Sequence, residues 1–254
     1  LDIKPDEMVL DLQFGSGLFT WEFSRIVQHQ SVYSILHNQD EFQMFDNMSK
    51  DKIHVDHVLP LHKKSNSIKH LISTSELQGV CFDKVLGFKS YLKWDRQNFC
   101  ADLLSIVKDG RIVLFEYIPS LVQRPLEYLK SIKVSEELRA KWQKAENQLF
   151  TDAADPLMNW SEKTIVSQFS ENIDCHSKVE MIPHYESIVF NKNLMDRLFK
   201  MGESGRLSYG ERMSKYLSEK DMKELKKLFE ENMVGVKTTW LSTYALISID
   251  VKRK

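Results

Sequence analysis

The sequence predicts an α/β fold built on a mostly parallel sheet, and three observations carry that prediction. Short apolar runs alternate with stretches of helical periodicity through the first half of the chain. Those runs are almost continuously apolar, as strands covered on both faces must be. The first of them, Val9-Leu10-Asp11-Leu12, passes through Gly15 and Gly17 directly into a helical pattern. A strand, a glycine turn and a helix form the first half of a right-handed crossover to a parallel neighbour.

The elements follow in order. Residues 8–12 read as the first strand. Residues 18–28 read as a helix, with Leu18, Trp21, Phe23, Ile26 and Val27 at helical spacing. Strands are expected at 31–36, 53–59 and 82–88, and a helix at 99–107. Lys108-Asp109-Gly110 is expected to end that helix, with Gly110 as a left-handed cap, before a fifth strand at 112–117. The second half is more helical. Residues 126–150 are charged and amphipathic, 162–169 form another helix, and 187–190 a short sixth strand. Residues 194–233 read as two or three helices around Gly202-Glu203-Ser204-Gly205. In the last of them Ser218 is the N-cap, Met222, Leu225, Leu228 and Phe229 share a face, and Gly235 follows the end. Residues 238–251, β-branched and aromatic, close the chain as a seventh strand.

Composition narrows the function classes. The chain has 254 residues, 42% hydrophobic and 28% charged, with a formal net charge of -1. This argues against general nucleic-acid binding and against a membrane surface. No apolar run approaches the ~20 residues of a membrane span. Cys81, Cys100 and Cys175 are odd in number and form no CxxC pair, so a reducing, cytoplasmic setting is expected. The chain opens at Leu1 without a signal peptide or initiator methionine, which is expected either of a removed tag or of a domain cut from a longer protein.

The chemistry concentrates in Asp11-Leu12-Gln13-Phe14-Gly15-Ser16-Gly17. Glycines let a ligand approach the backbone closely, and the helix beyond offers free N–H groups. The competing reading is a tight βα turn that holds nothing. At these residues the chain resembles the class I S-adenosylmethionine (SAM) methyltransferases, whose first motif is an acidic residue followed by three alternate glycines. Asp11, Gly15 and Gly17 match; Gln13 stands where the first glycine belongs. The resemblance extends through Phe82-Asp83-Lys84-Val85-Leu86 as a fourth strand, through Lys108-Asp109-Gly110 before the fifth, and through Asn159-Trp160-Ser161-Glu162. It implies a Rossmann-like, seven-stranded sheet with helices on both faces and a helical insertion before the last strand. One domain over residues 1–254 is expected, with insertions at about 119–170 and 191–235. It also implies a SAM site at Asp11, Gln13, Phe14, Gly15, Ser16, Gly17, Leu36 and Asp83. Leu36 falls where the family places the carboxylate that binds the ribose hydroxyls, with Asp40 and Glu41 coming later. Loss of that charged hydrogen bond costs roughly 1.5–3 kcal/mol. SAM binding is therefore expected to be weak or absent.

Other constellations carry less. His54, Asp56, His57, His62 and His70 crowd one region without a zinc spacing, so a polar loop and no metal are expected. Cys175-His176 lacks a third partner and reads as structural. No phosphate loop is present, and the lysines of residues 218–233 sit beside carboxylates as a solvated face. Two functions follow. One is a methyltransferase-like domain with a degraded site, serving as a binding or regulatory module, with partner domains in a longer chain. The other is an active methyltransferase for a small molecule, with Asp83 or Lys89 as candidate bases. The C-terminal half distantly resembles methyltransferase-like extensions fused behind AAA-type ATPase modules in some bacteria.

Overall fold

The computed structural model describes residues 2–50, 57–171, 175–200 and 207–252. Seven strands are present: β1 (Val9–Asp11), β2 (Val32–Leu36), β3 (Val58–His62), β4 (Phe82–Phe88), β5 (Val107–Tyr117), β6 (Cys175–Val189) and β7 (Lys237–Val251). They form one sheet in the order β3-β2-β1-β4-β5-β7-β6. β1 pairs in parallel with β2 and β4, β2 with β3, and β4 with β5. β7 runs antiparallel to β5, so the sheet is mixed. The order of strands reverses at β1 and β4, the switch point beside which ligands of open α/β sheets bind.

The expected core is the observed one. Val9, Leu10, Leu12, Val85, Leu86, Val113 and Leu114 are all buried. Successive strand residues point to opposite faces, so their joint burial requires cover on both. Helices α1 (Leu18–Ile26) and α2 (Gln39–Lys50) contribute Trp21, Phe23 and Phe45 to the cluster that takes Val9, Val32, Leu86 and Val113. Helices α3 (Ile68–Ser73) and α4 (Phe99–Ile106) pack on each other. Their buried Ile68, Leu71, Phe99 and Leu103 lie outside that cluster.

Four expectations are corrected. Gly110 is not a helix cap: it pairs with Val251 inside β5, and its φ is not positive. A Cβ there would lie 2.3 Å from the carbonyl oxygen of Asp83, so the glycine is required by close approach of β4. The sixth strand covers fifteen residues, not four. Its mostly exposed, polar sequence gave no apolar run to read, because an edge strand needs little burial. The third strand starts at Val58; residues 53–56 lie outside the described residues. Between 126 and 150 the chain first makes a 3-10 turn, Pro125–Leu129, and α5 spans Glu136–Thr151 with Ser135 as N-cap.

The remaining helices are α6 (Glu162–Ser170), α7 (Lys192–Phe199), α8 (Tyr209–Met213) and α9 (Glu219–Met233). The last three form the insertion between β6 and β7. Ser218 caps α9 by accepting the Asp221 N–H at 3.2 Å, as its sequence indicates. The motif 202–205 lies outside the described residues.

By its contacts the chain makes two compact units. One comprises Leu1–Tyr117, Glu162–Ile182 and Tyr244–Lys254; the other comprises Ile118–Ser161 and Pro183–Thr243. The first holds β1 to β5 and the glycine turn. The second has its own core, including Trp142, Leu149, Phe190, Phe199 and Phe229, and a buried ion pair between Arg212 and Asp155 at 2.6 Å. No helix of the described residues is long and apolar enough to cross a membrane.

Candidate ligand site at the switch point

The turn after β1 lies at the carboxyl edge of the sheet. Gly15 and Gly17 have φ of 56° and 75°, the left-handed region that glycine adopts without strain. At Gly17 there is also no room for a side chain, since a Cβ would come within 2.7 Å of both Phe14 and Trp21. Phe14 points inward: its ring makes edge contacts with Trp21 and Phe45 and is buried. Ser16 is exposed. Gln13 is not at positive φ, so its backbone tolerates a side chain. That side chain lies over the turn, with Nε2 3.6 Å from where a Gly15 Cβ would stand. Its Oε1 is buried and has no hydrogen-bond partner among the described residues.

Asp11 is fully buried beneath the turn. Its carboxylate accepts from Thr20 Oγ1 at 2.7 Å and from the Gln13 N–H at 3.1 Å, and Thr20 in turn meets Ser34 Oγ at 2.9 Å. Burial pushes its pKa up to about 7; the two hydrogen bonds oppose this, and the nearby charge of Glu41 adds to it. Thr20 and Ser34 were missed in the sequence. The usable signal was a polar residue in each of two apolar strands, and Asp11 and Ser34 are direct partners in register.

Leu36 ends β2 and is buried, offering no acceptor. Glu41, however, folds back to that strand end. Its carboxylate accepts the His37 N–H at 2.7 Å, while Asn38 Oδ1 accepts the Glu41 N–H at 2.9 Å. This reciprocal arrangement is a helix-capping device, and it brings a carboxylate to the end of β2 from outside the strand. His37 reaches across the same edge to the Leu12 carbonyl at 2.8 Å. Burial lowers its pKa to about 4, so the ring is neutral and donates from Nε2. Beside it stands Trp94, in edge contact at 5.4 Å, with the Lys63 ammonium 4.5 Å from the indole centroid. The Trp94 Nε1–H is buried without a partner among the described residues. Spacing could not reveal His37, Lys63 and Trp94 as neighbours, because they follow three different strands, β2, β3 and β4.

Asp83 is not brought to this site. It lies near the start of β4, where its carboxylate accepts the Met8 N–H at 2.8 Å on the opposite edge of the sheet. Parallel pairing puts the start of β4 beside the start of β1, so an early β4 residue cannot reach the turn. Lys89, at the other end of β4, is on the correct edge. It is the one non-glycine residue described at positive φ, 51°. Its N–H donates to the Phe115 carbonyl. The following turn is held by buried Glu116, whose Oε1 accepts from Ser90 N–H, Ser90 Oγ and Tyr91 N–H at 2.7–3.0 Å. Burial raises the Glu116 pKa to about 7 against those hydrogen bonds. Of the histidine-rich segment, His57 contacts the Ser24 carbonyl and His62 packs on Phe42; His54 and Asp56 lie outside the described residues.

No protein-family model matches the sequence, and no curated protein matches it. Solved structures do. The YcgJ protein from Bacillus subtilis covers the whole chain and 94% of its own length, at 12% identity and a TM-score of 0.55. The likeness is one of fold. A precorrin-6y C5,15-methyltransferase from Geobacter metallireducens matches at 10% identity over 98% of this chain and 82% of its own, with a TM-score of 0.46. A geranyl diphosphate methyltransferase in complex with SAM matches at 12% identity over 98% and 79%, with a TM-score of 0.47. The fold is thus a Rossmann-like, seven-stranded one, resting on the sheet order and the YcgJ likeness.

Proposed function

We propose that the chain is a methyltransferase-like domain with a degraded SAM site, acting as a binding or regulatory module in a larger protein. On this reading it is one domain with helical insertions at about residues 119–170 and 191–235, set in a longer cytoplasmic chain whose other domains are its partners. The ATPase chemistry of an AAA-type parent would lie outside this segment. The observation that carries the reading is Gln13, whose side chain lies over Gly15 where the family turn needs bare backbone. Leu36 adds to it by offering no acceptor for a ribose, and His37 by tying the end of β2 to the Leu12 carbonyl. On this reading the turn and the end of β2 fit SAM poorly.

If Gln13 and Leu36 each cost roughly 1.5–3 kcal/mol, together they remove about two to four decades of affinity. Calorimetric titration of SAM tests this, with an expected dissociation constant of about 100 µM or poorer for the wild type. The Gln13→Gly, Leu36→Asp double variant should recover binding. Micromolar binding by the wild type would overturn the reading. It would favour a second one, an active methyltransferase for a small molecule, for which the Glu41 carboxylate at the end of β2 is the supporting observation.

A further inference from the structure

On the far side of the switch point, the carboxyl ends of β4 and β5 carry a run of aromatic rings that the Asp11 turn does not use. Phe19, in the first turn of α1, meets Phe88 at 6.0 Å. Phe88 stacks on Phe115 at 5.7 Å with the planes 7° apart, and Phe115 stacks on Tyr244 of β7 at 5.0 Å and 8°. Tyr117 meets Tyr244 edge-on at 5.8 Å. None of these rings is fully buried; Phe19 is 38% exposed and its neighbour Leu18 67%. In the same unit Phe14 and Trp21, beside β1, are at most 4% exposed.

The Lys89 ammonium stands 5.1 Å from the Phe88 centroid and 5.3 Å from that of Tyr244. On β4 and β5, Lys84 pairs with Glu7 at 3.3 Å and Arg111 with Asp250 at 2.6 Å, while Lys89, just past β4, is exposed. Among the described residues, Lys89 has no carboxylate partner. Its backbone is nevertheless held in the left-handed region, where a side chain is strained. The Phe115 carbonyl and the triply bonded Glu116 hold it there. A cation without a counter-ion, fixed over half-covered rings at the ligand-binding edge of the sheet, calls for an anion with a flat apolar body.

We propose that Phe19, Phe88, Phe115, Tyr244 and Lys89 form a binding site for a small aromatic carboxylate. The apolar body covers the rings and releases their water, and the carboxylate meets the Lys89 ammonium in a charge-assisted contact. This gives the binding module a ligand class and rests on that reading, but it does not depend on SAM.

The test is calorimetric titration of the full chain with 2-naphthoate and with its neutral amide. The acid should bind more tightly, and Lys89→Met should weaken the acid about tenfold while leaving the amide unchanged. Phe88→Leu should weaken both ligands, whereas Lys84→Met should affect neither. Lys89→Gly removes the ammonium while relieving the backbone, so it should fold at least as well as wild type and still lose the preference for the acid. Equal binding of acid and amide, indifference to both Lys89 variants, or no heat for either ligand at millimolar concentration would overturn the proposal. A chain that bound SAM at micromolar concentration yet also showed the Lys89-dependent preference would refute the degraded-site reading alone.

Discussion

The two flanks of the switch point are built from the same materials and finished differently. Beside β1 and β2, aromatic rings and polar groups are turned inward: Phe14, Trp21 and Phe45 close on one another, and Asp11 is consumed by Thr20 and Gln13. Beside β4 and β5, the rings stand half-covered in a row and the nearest cation lacks a counter-ion. The first flank has Gly15 and Gly17 at positive φ, with the Gln13 side chain lying over Gly15. The second has no motif, and it carries the proposed carboxylate site. A signature in a loop therefore locates the ligand edge of the fold without showing which side of that edge remains open.

The largest test of this contrast lies on one strand. Leu114 and Phe115 are adjacent on β5, and Leu114 is fully buried. Leu114→Ala should lower unfolding free energy by roughly 2–5 kcal/mol. Phe115→Ala, on the half-covered ladder, should cost clearly less, about 1–2 kcal/mol, because part of its surface already meets water. Equal losses in urea denaturation would show that the ladder is core and not a surface.

Acid titration probes one buried carboxyl on each flank. Asp11 and Glu116 both have folded-state pKa values raised to about 7, from 3.8 and 4.5. A raised carboxyl contributes stability that is fully present below its unfolded pKa and is lost as pH climbs to its folded value. Between about pH 4 and pH 7 the wild type should therefore lose, with rising pH, on the order of 4 kcal/mol from Asp11 and 3 kcal/mol from Glu116. Relative to wild type, Asp11→Asn and Glu116→Gln should each gain stability by up to those amounts across that window. His37 has the opposite sign. Its pKa falls from 6.5 to about 4, so its contribution is present above the first value and lost as pH drops through the second. Urea midpoints measured over this range for each variant check all three, and parallel curves would show that these groups are not buried as described.

The smallest effect belongs to Lys89. Lys89→Gly should stabilise the fold by about 1 kcal/mol, since glycine takes φ of 51° without strain. A loss on that substitution would mean that contacts of the lysine side chain outweigh the backbone strain.

Much of the frame was legible from residues alone. Strands β1, β4 and β5 announce themselves as apolar runs, Gly15 and Gly17 as a turn needing positive φ, and Ser218 as a cap, because each depends on neighbours within a few positions. The reasons for other features come from partners far along the chain. Gly110 looks like a helix cap and is a strand residue, since the constraint is the Asp83 carbonyl across the sheet. Asp83 looks like a site residue and sits at the wrong edge, since parallel register sets its height. Glu41 comes too late in the sequence to belong to the strand end and returns to the end of β2 through a cap. Local sequence determines conformation and burial tendency; only the assembled sheet determines which side chains meet at its carboxyl edge, because that meeting depends on the pairing and register of strands from distant parts of the chain.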